Sequence, residues 1–123
     1  MKFSEMLGCL PEGAASAGEG WSVSIPLNQS AIDALYYPDG ETGPLGVAIA
    51  VKEDGTVVGE LHGNTGGSAG GIGERLYCMA GLFDDKITPN YLAYPHYATH
   101  FRWRECESAE ECNQVKIWLS QVI

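Results

Sequence analysis

A glycine-rich run followed at once by a charged pair, HGNTGGSAGGIGERL over residues 62–76, carries the residue types for anion chemistry. Glycines let backbone N–H groups approach a phosphate closely, and a helix starting behind them presents further unpaired N–H groups. Gly70, Gly71, Gly73 and Arg75 are the candidate contacts. A Walker-type loop needs a lysine that reaches the phosphates, and no lysine occurs between Lys52 and Lys86. A dinucleotide fingerprint needs a third glycine, but Gly71-Ile72-Gly73 is followed by Glu74, Arg75 and Leu76. What the run retains is anion binding at a helix start, such as a nucleotide- or acyl-CoA-binding loop over 63–73.

A second group lies in HFRWRE, where His100, Arg102 and Arg104 alternate along a strand and form a cationic strip. Such a strip can hold an anion, or it can be neutralised by neighbouring acids. The thiols are Cys9, Cys78, Cys106 and Cys112, with no CxxC pair among them. His96 and His100 with Cys106 and Cys112 have a ligand-like composition. However, five residues separate the two cysteines, and Cys112 falls on the apolar face of a helix, where it packs as core. No metal site and no cofactor are expected. Cys78 with His62 has the types for thiol catalysis, but nothing in the sequence brings a base beside that cysteine. Tyr91, Tyr94 and Tyr97, near Pro89 and Pro95, read as an aromatic recognition surface or as cover for the core edge.

The elements that position these groups follow from periodicity. Phe3, Met6, Leu7 and Leu10 share one face of a helix over 2–10 that Pro11 ends. Residues 11–20, PEGAASAGEG, predict a flexible loop, and Trp21–Ile25 alternates as a short strand. Asn28 caps a helix over 28–37. Val47, Ile49 and Val51 alternate along a strand over 46–52 that returns over 56–62, where Val57 and Leu61 extend the buried face. Asp54-Gly55 predicts a two-residue turn with both residues at positive φ. A helix over 72–83 follows the glycine loop, with Ile72, Leu76, Met79 and Phe83 in one stripe. A strand over 98–105 turns Phe101 and Trp103 one way and the cationic residues the other. Ser108 with Glu111 forms a capping box that starts a last helix over 108–121, whose core face is Cys112, Val115, Leu119 and Val122.

Two resemblances attach to these elements. DGTVVGEL followed by GGIGERL resembles the pyrophosphate-binding part of a GNAT acetyltransferase, although that family has a further long strand where HGNTGGSAG stands here. The order hairpin, helix, strand and capped helix from Gly46 onward is similar to that of GIY-YIG nuclease domains. There GVAIAVKEDG resembles the first strand and turn, Arg75 the arginine of the first helix, and FRWRECESAEECNQVKIWLSQ the last strand and helix. The resemblance implies a metal-dependent nuclease using Arg75, tyrosines and a glutamate of the last helix. The first tyrosine position is Ala48, and the second falls near Gly59 or Leu61. The expected glutamate turn holds Gln114, Val115 and Lys116, with Glu110 and Glu111 one turn earlier. The resemblance is therefore to a degenerate domain of that family, with Arg75 and Glu111 the catalytic candidates if it cuts nucleic acid.

Composition bounds these options. A chain of 123 residues with 45% apolar content suits one domain with a real core: residues 1–45 form a helical and loop extension packed on a core over 46–123. The predicted fold is α+β or α/β, a small central sheet containing an antiparallel hairpin and flanked by about four helices. Sixteen acids against seven bases give a net charge of -9, which repels nucleic-acid backbones and favours a basic partner. Met1–Leu10 lacks the apolar stretch of a signal peptide, and no run has the length of a membrane span, so a cytoplasmic chain with reduced thiols is expected. The function expected from these features is that of a small acidic interaction protein that binds a protein partner without catalysis, for example an inhibitor carried by a phage or other mobile element. A divergent nuclease and a nucleotide- or acyl-CoA-binding domain are the alternatives.

Overall fold

The computed structural model describes residues 1–34, 44–64, 72, 73, 76 and 98–122. Among them the chain forms an α+β fold with helices α1 (Phe3–Gly8), α2 (Gln29–Asp33) and α3 (Ala109–Ser120). Strands β1 (Ile25–Pro26), β2 (Gly46–Val51), β3 (Val57–Asn64) and β4 (His100–Glu105) make one antiparallel sheet in the order β1-β4-β2-β3. Three α-helices are found among the described residues, where the sequence predicts about four. Most of the predicted helix over 72–83 lies outside them, but Ile72, Gly73 and Leu76 are helical and buried.

The sheet is covered on both sides because β2 has apolar residues at every position. All six of its residues are buried. Val47, Ile49 and Val51 join Phe3, Met6, Ala17, Cys106, Cys112, Val115 and Leu119 in one cluster. Ala48 and Ala50 join Ile32, Ile72, Leu76, Ala98 and Phe101 in a second. The small alanines leave room for Phe101, while the branched residues face the helices. Burial of this kind stabilises by about 25 cal/mol per Å² of apolar surface, and it places β2 and β4 at the centre of the sheet.

Local signals set the element ends. Asn28 accepts a hydrogen bond from the Ala31 N–H at 2.9 Å and caps α2. Ser108 accepts from the Glu111 N–H at 3.1 Å and caps α3. The return bond of the predicted capping box is displaced by one position: Glu111 Oε2 accepts from the N–H of Glu107 rather than of Ser108, at 2.9 Å. Helix α1 ends at Gly8, before the predicted limit, where the Cys9 N–H turns back to Met6 O. Its sequence-predicted face is otherwise as expected, with Phe3 and Met6 buried and Leu7 and Leu10 packed at the edge.

Three local expectations are corrected. The β2–β3 turn has three residues rather than two. Lys52 N–H bonds Thr56 O at 2.9 Å and Gly55 N–H bonds Lys52 O at 2.9 Å, and Gly55 has φ +89 while no non-glycine residue has a positive φ. Asp54 stays on the negative side because its Oδ1 accepts the Thr56 N–H at 2.9 Å while its carbonyl and Oδ2 are held by Lys2. Residues 11–20, expected to be flexible, contain a 3-10 turn over Ala15–Gly18 whose Ala17 is fully buried. The strand expected over 21–25 is broken: Trp21 bridges Arg104, and the regular ladder begins only at Ile25 opposite Phe101. Between them Val23 leaves the sheet and is 76% exposed. The sheet also departs from regularity in β3, which carries two extra residues between the partners of Ile49 and Val51.

Candidate functional site

The β2–β4 register decides where the cationic residues point. Arg104 is opposite Val47, Arg102 opposite Ile49 and His100 opposite Val51. Paired residues in an antiparallel ladder share a face. The strip therefore lies on the face that α1, the 3-10 turn and α3 cover. The alternation expected along β4 is present, and its cationic side faces protein.

Arg104 is the centre of this arrangement, with only 9% of its surface exposed. Its Nε donates to Glu19 O at 2.8 Å and one terminal nitrogen to Ser16 O at 3.2 Å. The other terminal nitrogen is 2.9 Å from Glu111 Oε1 and donates to Cys106 Sγ at 3.4 Å. One planar guanidinium thus ties the 3-10 turn, the end of β4 and the first turn of α3 together, a task that needs its fork of donors. The Glu111 carboxyl is held below its ordinary range by the Glu107 N–H and then by Arg104.

Arg102 is used differently. Its Nε donates to Ser22 O at 2.8 Å, and its guanidinium carbon lies 4.2 Å from the centre of the Phe3 ring. Phe3 in turn meets Trp21 edge-on at 5.2 Å, and the Trp21 indole N–H donates to Ala17 O at 2.7 Å. Partial burial lowers the Arg102 pKa, which leaves the side chain cationic at any physiological pH. His100 Nδ1 is 2.7 Å from Thr99 Oγ1.

The sequence-predicted site residues therefore separate. His100, Arg102 and Arg104 share one face, and Arg104 and Glu111 meet as an ion pair. Gly73 is buried at the helical start after the loop, where the Ile72 N–H donates to Pro44 O at 3.0 Å. Gly70, Gly71 and Arg75 lie outside the described residues, as do Cys78, His96, Tyr91, Tyr94 and Tyr97. No group of three or more potential metal-ligating side chains is found among the described residues. Among those residues no helix is long and apolar enough to cross a membrane.

Beside the Arg104–Glu111 pair runs an open groove of about 360 Å³, lined also by Ser16, Glu110, Gln114 and Trp118. Sequence reasoning missed it, because its lining comes from segments some ninety residues apart. The one legible signal was the alternation that sets Arg104 on the cationic side of the strand over 98–105. Comparison of the chain with protein-family models, with curated proteins and with solved structures finds no match.

Proposed function

We propose that this is a small acidic interaction protein that acts by binding a protein partner with a basic surface, without catalysis of its own. The observation that supports this reading is the contrast between the two arginines of β4 and the carboxylates of neighbouring segments. Arg102 and Arg104 are drawn inward onto Phe3, Ser22, Ser16, Glu19 and Glu111. Glu12, Glu19, Glu105, Glu107 and Glu110 are exposed to solvent. With a net charge of -9, these exposed carboxylates give a negative surface of the kind that speeds encounter with a cationic one.

The test is affinity capture from the native host with the wild-type chain and with a Glu107→Lys, Glu110→Lys variant, each at low and raised salt. A stoichiometric partner held by the wild type, weakened by salt and lost by the variant supports the proposal. Failure to recover such a partner, or a partner indifferent to both changes, overturns it. Cleavage of nucleic acid that requires a divalent metal and is abolished by Arg75→Ala would replace it with the nuclease reading. A thermal shift of the pure protein with a nucleotide or acyl-CoA would replace it with the ligand-binding reading, since a ligand at 100 times its dissociation constant adds about 2.7 kcal/mol.

A further inference from the structure

Two thiols meet where β4 leads into α3. Cys106 is the first residue after β4 and Cys112 lies in the first turns of α3, and both are buried, at 4% and 0% exposure. Both belong to the cluster on the Val47 face of the sheet, and the Cys112 thiol is hydrogen-bonded to Cys106. The intervening loop is folded back on itself, with Ser108 and Glu107 both bonded to Glu111 and the Cys112 N–H bonded to Ser108 O. A guanidinium N–H of Arg104 points at Cys106 Sγ from 3.4 Å. Packing alone does not call for two adjacent sulfurs with a cation on one of them.

We propose that Cys106 and Cys112 form a reversible intramolecular disulfide, which makes the junction of β4 and α3 a redox-responsive clasp. The oxidant is a small-molecule disulfide such as glutathione disulfide. Cys106 sulfur gives up its proton, attacks one sulfur of the oxidant and expels the other as a thiolate. Cys112 then loses its proton and attacks the Cys106 sulfur of the mixed disulfide, expelling the second thiolate. Two protein S–H bonds and one small-molecule S–S bond are lost, and one protein S–S bond and two small-molecule thiols are formed. The order follows from the surroundings. Arg104 donates an N–H to Cys106 Sγ at 3.4 Å, and Cys106 is the less buried of the two sulfurs, so it is the one that meets the oxidant. Burial and its hydrogen bond with Cys106 push the Cys112 thiol up to about 12, in keeping with its place as the second sulfur to react.

Tryptic cleavage after Arg104 and Lys116 releases Glu105–Lys116 as one peptide carrying both cysteines. The native protein is equilibrated in glutathione buffers of increasing oxidised fraction, alkylated with iodoacetamide under denaturing conditions, digested and weighed. The expected result is loss of two hydrogens from this peptide, with no label on either sulfur, and full double labelling after dithiothreitol. The oxidised protein also melts at a higher temperature than the reduced one. The proposal is overturned if both sulfurs still take label in the most oxidised buffer. Single glutathione adducts, or a crosslink from either sulfur to Cys9 or Cys78, overturn it equally.

Discussion

Replacing Arg104 by methionine isolates what the guanidinium does. Methionine keeps much of the apolar stem and removes all the donors. The carbonyls of Glu19 and Ser16, bonded at 2.8 and 3.2 Å, then lose their charged donor. Hydrogen bonds to a charged group contribute about 1.5–3 kcal/mol each. Relief from burying a cation that is only 11% exposed in its side chain returns part of that sum. The Glu111 contact is left out of the sum because that carboxylate is one-third open to water. A net loss of about 3 kcal/mol results, which in a domain of this size lowers Tm by about 10 °C. Urea unfolding followed by tryptophan fluorescence measures it. Hydrogen exchange supplies the local signature: the amides of Ala17, Glu19 and Ser22, bonded to Ala14 O, Ser16 O and Trp103 O, exchange faster in the variant. Arg104→Lys falls between, because the lysine ammonium is a single point and cannot reach acceptors spread around the guanidinium fork. A loss under about 0.5 kcal/mol, the range of ordinary surface substitutions, refutes the reasoning. So does faster exchange in β2 and β3 with none over 14–22.

Gly46→Ala places a Cβ 2.6 Å from Arg104 O and 3.0 Å from the Trp103 ring in the central strand, so chemical denaturation shows a loss of about 2 kcal/mol. Gly8→Ala, with nothing within 4 Å of the new carbon at the end of α1, gains about 0.5 kcal/mol in the same assay. Trp21→Phe removes the 2.7 Å bond to Ala17 O but keeps the ring against Phe3, and costs about 1 kcal/mol by urea unfolding. The Asp54 carboxyl is held well below its ordinary range, first by hydrogen bonds from Thr56 and then by Lys2. A depressed folded-state pKa gives stability that is present above the unfolded value near 4 and is lost as pH falls through the folded one. Melting curves of Asp54→Asn against wild type therefore differ most at neutral pH and converge as pH drops below about 4.

The acidic surface and the inward arginines are two sides of one folding event. Residues 15–22 lie across β4 because Trp21, Ser22 and Ile25 bond or pair with Arg104, Trp103 and Phe101. Once they do, the arginines on that face are enclosed and find backbone carbonyls as partners. The carboxylates at 105, 107 and 110 belong to the strand end and the exposed side of α3, and they stay in water.

The sequence by itself determined what depends on neighbours a few residues apart. The caps at Asn28 and Ser108, the glycine of the β2–β3 turn, the buried faces of α1 and α3 and the alternation along β4 all follow from local sterics and periodicity. Even there, the turn length escaped, because Asp54 is fixed by Lys2, fifty-two positions away. Tertiary structure alone decided which side of β4 faces protein. It turned PEGAASAGEG from an expected loose loop into a turn with a buried alanine, and it brought Glu19 and Arg104, eighty-five residues apart, to 2.8 Å. Alternation tells which residues share a face but not what covers it. The cover is settled by strand order, and strand order is written in contacts between distant segments.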